Sequence, residues 1–192
     1  MKVCIVGAGN MGLVMAGAIA TQNEHDVVVY TNKALSKNFR FEDVENRTIY
    51  KNLKIKSEKN LEKALEGADY VFCTYPAFLR KAFITQCEDY IVSGMKIGFI
   101  PGYGGAEYAC KKMIAKGAVV FGLQRVPYIA RQDNREFAHL LARKKELFVG
   151  SIPFDHVETI CKDLEKLLTT PCKPVKEYLS VTLTPTNPLI HL

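Results

Sequence analysis

The feature of this sequence that most constrains its fold is a glycine-rich turn near the amino terminus. A short apolar run at residues 2–6 leads directly into the sequence GAGNMG at residues 7–12, and a stretch with many small residues follows at residues 13–21. A strand, the pattern G-x-G-x-x-G and a helix, in this order, form the arrangement that holds the pyrophosphate of a dinucleotide. The pattern therefore predicts a first strand, a phosphate-binding turn and a closely packed first helix.

Each glycine of this turn meets a different physical requirement. Gly7 allows the tight turn, Gly9 has no Cβ to keep the phosphates away, and Gly12 lets the helix pack against the strand. The helix then offers unpaired N–H groups and the positive end of its dipole to an anion, with Asn10 and Met11 in its first turn. These residues are the predicted pyrophosphate site, and the alternative is a glycine-rich turn without a ligand.

The end of the second expected strand, residues 27–30, bears on the choice of cofactor. A site specific for NAD usually has Asp or Glu about 20 residues after the glycines, where the carboxylate binds the ribose hydroxyls. This chain has Thr31, Asn32 and Lys33 there. With no carboxylate to repel it, a 2′-phosphate fits these side chains together with Arg40. We expect NADP, with NAD held by neutral hydrogen bonds as the alternative.

The rest of the sequence alternates between runs typical of strands and of helices. The expected strands cover residues 69–74, 95–100 and 119–123, and the expected helices cover residues 61–65, 78–90, 106–116 and 154–168. Two antiparallel pairs are expected, residues 39–44 against 48–55 and residues 137–142 against 146–149. The fold class predicted from this order is α/β, a Rossmann-like, doubly wound, mostly parallel sheet with helices on both faces and a small antiparallel excursion.

Ligands of doubly wound sheets bind beyond the carboxyl ends of the strands. Tyr75 and Pro76 follow one expected strand and are predicted to lie near the nicotinamide, although packing at the edge of the core explains Tyr75 equally well. Tyr103 lies in a glycine-rich turn after the next strand. Arg125 and Arg131 follow a third strand, where guanidinium groups could clamp substrate carboxylates. The alternative for both arginines is an exposed surface position.

Charge and cysteine content narrow the function further. The 26 basic and 20 acidic residues give a formal charge of +6, which is too modest and dispersed to indicate nucleic-acid binding but suits anionic ligands. The densest basic run, residues 143–145, is interpreted as a solvated turn. The six cysteines lack a C-x-x-C pair and are interpreted as reduced structural thiols, so no metal site is expected. No membrane span or secretory signal is recognised, and the expected location is the cytoplasm.

Five segments together resemble the opine dehydrogenases, the octopine and nopaline group. They are GAGNMG at residues 7–12, YPAF at residues 75–78, PGYGGAE at residues 101–107, QRVPYIAR at residues 124–131 and NPLIH at residues 187–191. The resemblance covers essentially the whole chain. The glycine motif is shared by many dehydrogenases, whereas the series ending in N-P-x-x-H is more specific.

The resemblance implies a reaction. The family uses NADH or NADPH to reduce the imine formed from an α-keto acid and an amino acid. By resemblance His191 is the acid/base group, and a histidine suits that role because its ordinary pKa, about 6.5, lies near working pH. The family pairs this histidine with an aspartate in a helical second domain. We therefore expect an NAD(P)-binding domain at residues 1–178 and, at residues 179–192, the start of a truncated helical domain.

Two further expectations follow from where the sequence ends. Much of the substrate pocket would belong to the second domain, so this chain alone is expected to be inactive. An exposed apolar carboxyl-terminal segment would favour association, and a homodimer is possible. The rival interpretations are a 2-keto acid reductase similar to ketopantoate reductase, which relies on a lysine in its second domain, and a non-catalytic NAD(P)-sensing module.

Overall fold

The computed structural model describes residues 1–183 and arranges them in two sheets and seven α-helices. The strands are β1 (Lys2–Val6), β2 (Asp26–Tyr30), β3 (Arg40–Asp43), β4 (Thr48–Lys51), β5 (Ile55–Glu58), β6 (Tyr70–Cys73), β7 (Lys96–Phe99), β8 (Val119–Leu123), β9 (Tyr128–Asp133), β10 (Phe137–Arg143), β11 (Leu147–Ile152) and β12 (Cys172–Pro174). The helices are α1 (Asn10–Ala20), α2 (Leu61–Leu65), α3 (Ala77–Cys87), α4 (Ala106–Ala109), α5 (Lys111–Ala115), α6 (Val157–Leu168) and α7 (Leu179–Thr182).

The larger sheet has eight strands in the order β12-β11-β8-β7-β6-β1-β2-β5. All neighbouring strands are parallel except β8 and β11, which are antiparallel. The helices bury two separate apolar clusters against it. One cluster includes α1 and α6, and the other includes α2, α3 and α5. This arrangement confirms the predicted α/β, Rossmann-like class with helices on both faces.

A second, four-stranded sheet in the order β4-β3-β10-β9 covers the outer side of α1. Helix α1 contacts β1 and β2 of the larger sheet and also β3, β9 and β10 of the smaller one. A helix that is covered on both sides needs no polar face. This explains why α1 is buried from Gly12 to Ala20 and why a glycine stands at Gly17, where a Cβ would come within 2.4 Å of the Phe41 ring.

Two of the predicted strand pairings change in the structure. The antiparallel pair is confirmed for β3 and β4, but residues 55–58 form β5, which leaves the pair and joins β2 of the larger sheet in parallel. The hairpin expected between residues 137–142 and 146–149 is wrong. Strand β10 pairs with β9 and β3, whereas β11 pairs with β8 and β12.

Burial explains why the local hairpin does not form. Strand β10 buries alternate residues, Ala138 and Leu140, as expected for a strand with one face against α1. Strand β11 is buried almost continuously, which is typical of the interior of a larger sheet. The turn between the two strands therefore carries the chain from one sheet to the other.

Arg143 in the basic run is not a solvated turn residue. Its guanidinium binds both carboxylate oxygens of Asp43, at 2.6 and 3.1 Å, and an oxygen of Glu45 at 2.8 Å. The Asp43 side chain is only 5% exposed. Burial raises the pKa of Asp43, but hydrogen bonds from Arg143 and Asn46 outweigh it and hold the pKa below its ordinary value of 3.8. This ion pair fastens β10 to the end of β3.

The six cysteines are all free and buried. Burial raises their pKa values, for example to about 12 for Cys4 and about 11 for Cys73. Within residues 1–183, no helix is long and apolar enough to cross a membrane. The same part of the chain contains no group of His, Cys, Asp and Glu side chains arranged to hold a metal ion.

Candidate functional site

Strand register places the candidate site at one edge of the larger sheet. Val6 of β1 pairs with Tyr30 of β2 on one side and with Cys73 of β6 on the other, and Cys73 pairs in turn with Phe99 of β7. Because these strands are parallel, the loops that follow them lie side by side at their carboxyl ends. The glycine motif lies in the middle of this edge.

Local backbone geometry and contacts require glycine at two of the three motif positions. Gly7 has a φ of +104°, in the region that favours glycine, and its N–H donates to the Tyr30 carbonyl at 3.1 Å. A Cβ at Gly12 would lie 2.0 Å from the Gly7 carbonyl oxygen, so the first turn of α1 packs directly on the end of β1. A Cβ at Gly9 would have no atom within 4 Å. Packing therefore explains Gly7 and Gly12 but leaves open space at Gly9.

This open space lies at an uncapped helix terminus. Gly9 is the N-cap of α1, and no side chain caps the helix or places an acidic group in its first turn. The Leu13 N–H donates to the Gly9 carbonyl at 3.0 Å, so the N–H groups of Asn10, Met11 and Gly12 precede the first intrahelical bond. Unpaired N–H groups and a positive dipole end suit an anion. The residues present fit a dinucleotide pyrophosphate.

We call the open space at Gly9, together with the N–H groups at the start of α1, the cradle. The loop after β6 borders it. The Thr74 hydroxyl donates to the Val6 carbonyl at 2.8 Å, which holds the loop against the end of β1. The Tyr75 ring lies beside Gly7 and makes an edge contact with Phe83, with 6.0 Å between ring centroids. Burial raises the pKa of the Tyr75 phenol. Tyr75 thus packs at the core edge and borders the glycine turn, while exposed Pro76 is the N-cap of α3.

The loop after β2 combines a buried threonine with exposed polar residues. Thr31 is buried, and its hydroxyl oxygen accepts from the Lys33 N–H at 3.3 Å. Asn32 and Lys33 are exposed, so their side chains are accessible at this end of the cradle. Arg40 lies on β3 with its guanidinium 4.2 Å from the centre of the Phe137 ring.

Glu58 is a carboxylate near this loop that sequence reasoning missed. It ends β5, and register sets it level with Tyr30. Its Oε1 accepts the backbone N–H groups of Asn60 and Lys59, each at 2.8 Å, and these bonds hold its pKa below the ordinary value. Only the strand pairing of β5 with β2 reveals this neighbour, because it lies about 30 residues away in the sequence.

Arg80 is a second residue that sequence reasoning missed. Although charged, it is only 4% exposed. Its Nε donates to the Tyr75 carbonyl at 2.9 Å, and its Nη1 donates to the Tyr103 carbonyl at 2.7 Å. A signal was present, because Arg80 shares the buried stripe of α3 with Phe83, Ile84 and Cys87 at helical spacing.

The loop after β7 also contacts α7. Glu107 of α4 is buried and its Oε1 accepts from the Thr182 hydroxyl at 2.5 Å, while its Oε2 has no hydrogen-bond partner within residues 1–183. Gly102 lies against Val181, so a Cβ there would come within 2.5 Å of that side chain. These contacts join the edge of the sheet to the segment that begins at residue 179.

The two candidate substrate arginines are placed on different elements. Arg125 is exposed just beyond β8, beside a surface cavity of about 390 Å³ that Lys144 and Lys145 also line. Arg131 is exposed within β9 of the smaller sheet, where its guanidinium donates to the Ala130 carbonyl at 2.9 Å. The segment after β8 is thus partly a strand, and the structure does not join the arginines in one cluster. His191 lies outside the described residues.

The model of the ketopantoate reductase PanE/ApbA family matches residues 3–152, well over half of the chain. The matched segment contains the glycine motif and, apart from β12 and the first residue of β1, the strands of the larger sheet.

Individual proteins are also similar. The uncharacterized protein y4xO of Sinorhizobium fredii is 28% identical over 100% of this chain and 54% of its own length. Octopine dehydrogenase of Pecten maximus is 25% identical over 68% of this chain and 37% of its own length. A solved structure of octopine dehydrogenase with NADH and L-arginine has a TM-score of 0.76 at 20% identity, covering 94% of this chain and 50% of that one.

These comparisons confirm the resemblance to opine dehydrogenases that the five sequence segments indicated. The comparisons also show how much of each relative the chain covers. The chain spans about half the length, or less, of the curated relatives it matches.

Proposed function

This chain belongs to the ketopantoate reductase PanE/ApbA family, and from that premise we propose that residues 1–178 are the NAD(P)-binding domain of an oxidoreductase similar to opine dehydrogenase. The observation that carries the proposal is the uncapped amino terminus of α1 with open space at Gly9. When bound, the cofactor supplies a hydride. In this domain, the N–H groups of Asn10, Met11 and Gly12 would hold the pyrophosphate.

The proposed reaction is the reduction of the imine formed from an α-keto acid and an amino acid. The similarity to octopine dehydrogenase supports this reaction class. The NPLIH segment supports His191 as the group that holds and moves the proton at the reacting centre. Residues 179–192 then begin a second domain, in which we place the remaining substrate contacts. Arg125 and Tyr103, at the sheet edge, are proposed to face that domain, whereas Arg131 is the weaker candidate.

The activity test uses the full-length gene product with NADH or NADPH, pyruvate and a panel of amino acids. We expect oxidation of the reduced cofactor that depends on both organic substrates. Replacing His191 with asparagine should lower kcat by about 10²–10⁴-fold while the dissociation constant of the cofactor stays unchanged. The exposed His156→Asn variant is the matched control and should keep wild-type kcat.

Two outcomes separate the possible functions, and a third tests the role of His191. Cofactor oxidation with a 2-keto acid alone would instead support a 2-keto acid reductase, the second candidate, which the family match favours. Cofactor binding without turnover for any substrate pair would contradict both and leave a sensing module. Full activity of the His191→Asn variant would overturn the assignment of that residue.

The exposed loop after β2 supports a preference for NADP. Lys33 is exposed in this loop, and its ammonium group is proposed to bind a 2′-phosphate. We expect Lys33→Met to raise the dissociation constant of NADPH about tenfold, since one charge-assisted contact is lost, and to leave that of NADH within about twofold. Calorimetric titration with both cofactors measures this, with exposed Lys37→Met as the control. An equal loss of affinity for both cofactors in Lys33→Met, or a wild type that binds NADH more tightly, would contradict the preference for NADP.

We also propose the cytoplasm as the location, which suits six free, buried thiols. The proposed partners are small molecules, with neither nucleic acid nor membrane among them. A homodimer is proposed for the full-length protein, and its oligomeric state in solution tests this directly.

A further inference from the structure

A buried arginine connects two loops at the candidate site. The guanidinium of Arg80 donates to the carbonyl of Tyr75, in the loop after β6, and to the carbonyl of Tyr103, in the loop after β7. These strands are neighbours in the sheet, and both loops lie at its carboxyl edge. One side chain therefore fixes the spacing between two backbone segments that strand pairing alone does not join.

The Arg80 guanidinium is buried, and its hydrogen-bond partners are carbonyl oxygens. Arg80 is 96% buried, as follows from its 4% exposure, yet no carboxylate within residues 1–183 forms an ion pair with it. Its guanidinium lies 5.7 Å from the centre of the Phe99 ring. Burying a cation without a counter-ion is unfavourable. The fork of N–H donors on arginine compensates by binding two carbonyl oxygens at fixed separation.

The position of these loops relative to the glycine motif suggests what they do. The loop after β2, on one side of β1, faces the adenosine half of a dinucleotide, and the loops after β6 and β7 lie on the other side. Tyr75 itself borders Gly7. The two loops thus form the wall along which the nicotinamide half would extend.

We propose that Arg80 is a positioning residue that holds the loops after β6 and β7 in register as the wall of the nicotinamide half of the site. This inference rests on the proposed function. Arg80 touches neither cofactor nor substrate and acts through the backbone of Tyr75 and Tyr103. Its removal should loosen the nicotinamide half of the site and leave the adenosine half intact.

The test compares two ligands on the full-length protein. ADP occupies only the adenosine and pyrophosphate part of the site, whereas NADPH and NADH fill both halves. In Arg80→Met, we expect the dissociation constant of the preferred reduced cofactor to rise about tenfold and that of ADP to stay within twofold. Arg80→Lys keeps the charge but has no fork, so it should fall between wild type and Arg80→Met. Lys81→Met removes an exposed charge from the same helix and should bind like wild type.

A second measurement distinguishes the positioning role from a general loss of stability. Amide hydrogen exchange in Arg80→Met and Arg80→Lys should speed up in residues 74–78 and 100–106, while α1 stays protected as in wild type. The proposed positioning role would be overturned if the dissociation constants of ADP and of the reduced cofactor rose equally. Unchanged amide hydrogen exchange in both loops would also overturn it. A wild type that binds none of these ligands would instead overturn the proposed function itself, so the two failures are distinguishable.

Discussion

Replacing Gly12 with alanine is expected to destabilise the protein by about 3 kcal/mol and to abolish dinucleotide binding. The added Cβ would lie 2.0 Å from the Gly7 carbonyl oxygen and 3.1 Å from the Thr74 hydroxyl. The first contact is with backbone, so a rotamer change cannot relieve it. The start of α1 would have to move away from β1, although α1 is held between two sheets. Urea denaturation, followed by calorimetric titration with NADPH at a temperature where the variant is folded, measures both effects.

Gly9→Ala is the matched control because the same methyl group is added three residues earlier. No atom lies within 4 Å of a Cβ at Gly9, and its φ of −82° suits alanine. We expect stability within about 0.5 kcal/mol of wild type and a clear loss of cofactor affinity, since the methyl group occupies space that the phosphates need. A Gly9→Ala variant that binds the cofactor normally would contradict the cradle. A fully stable Gly12→Ala variant would contradict the packing of α1 on β1.

Replacing Arg143 with methionine is expected to cost about 3 kcal/mol of folding stability. The guanidinium makes two bonds to the nearly buried Asp43 and a third to Glu45. Removing it leaves the Asp43 carboxylate buried and without its cation, which is more costly than losing an exposed pair. Urea denaturation at neutral pH measures the change. Lys144→Met, the next residue in the basic run, is the control and should differ from wild type by less than about 0.5 kcal/mol.

The effect of Arg143→Met should depend on pH in a definite direction. The folded-state pKa of Asp43 lies below its ordinary value of 3.8, so this carboxylate contributes stability above that pH and loses it as the pH falls through the folded-state pKa. In the variant, burial without the arginine raises that pKa. The difference in stability between wild type and variant should therefore be largest above about pH 5 and shrink below pH 4. A difference that stays constant across this range would contradict the ion pair.

Local sequence predicted the five central strands of the larger sheet but missed its members β5, β11 and β12, and of the smaller sheet it predicted only the β3–β4 pair. Strands β1, β2, β6, β7 and β8 are short apolar runs between helices, and for such units a parallel sheet is strongly favoured. The smaller sheet joins β3 and β4 to β9 and β10, which follow more than 75 residues later. Nothing in the alternation of β10 indicates which distant strand it pairs with. The local partner β11 was the natural but wrong choice.

The candidate site was predictable only where one short segment contains the signal. The glycines between β1 and the first turn of α1 form a continuous motif whose spacing follows from the turn itself. Glu58 and Arg80 reach the same edge from β5 and α3, through strand pairing and helix packing that the sequence does not state. A charged residue on an apolar helical stripe was nevertheless a usable warning. Such a residue, as at position 80, indicates a buried polar contact even where no motif is present.

The placement of α1 between two sheets has a consequence for how a ligand is received. A helix buried on both sides has already lost its conformational entropy on folding, so its terminal N–H groups need no reordering when an anion arrives. At the proposed pyrophosphate site, the amino terminus of α1 is therefore preorganised. We therefore expect the amino terminus of α1 to keep its position when a ligand binds.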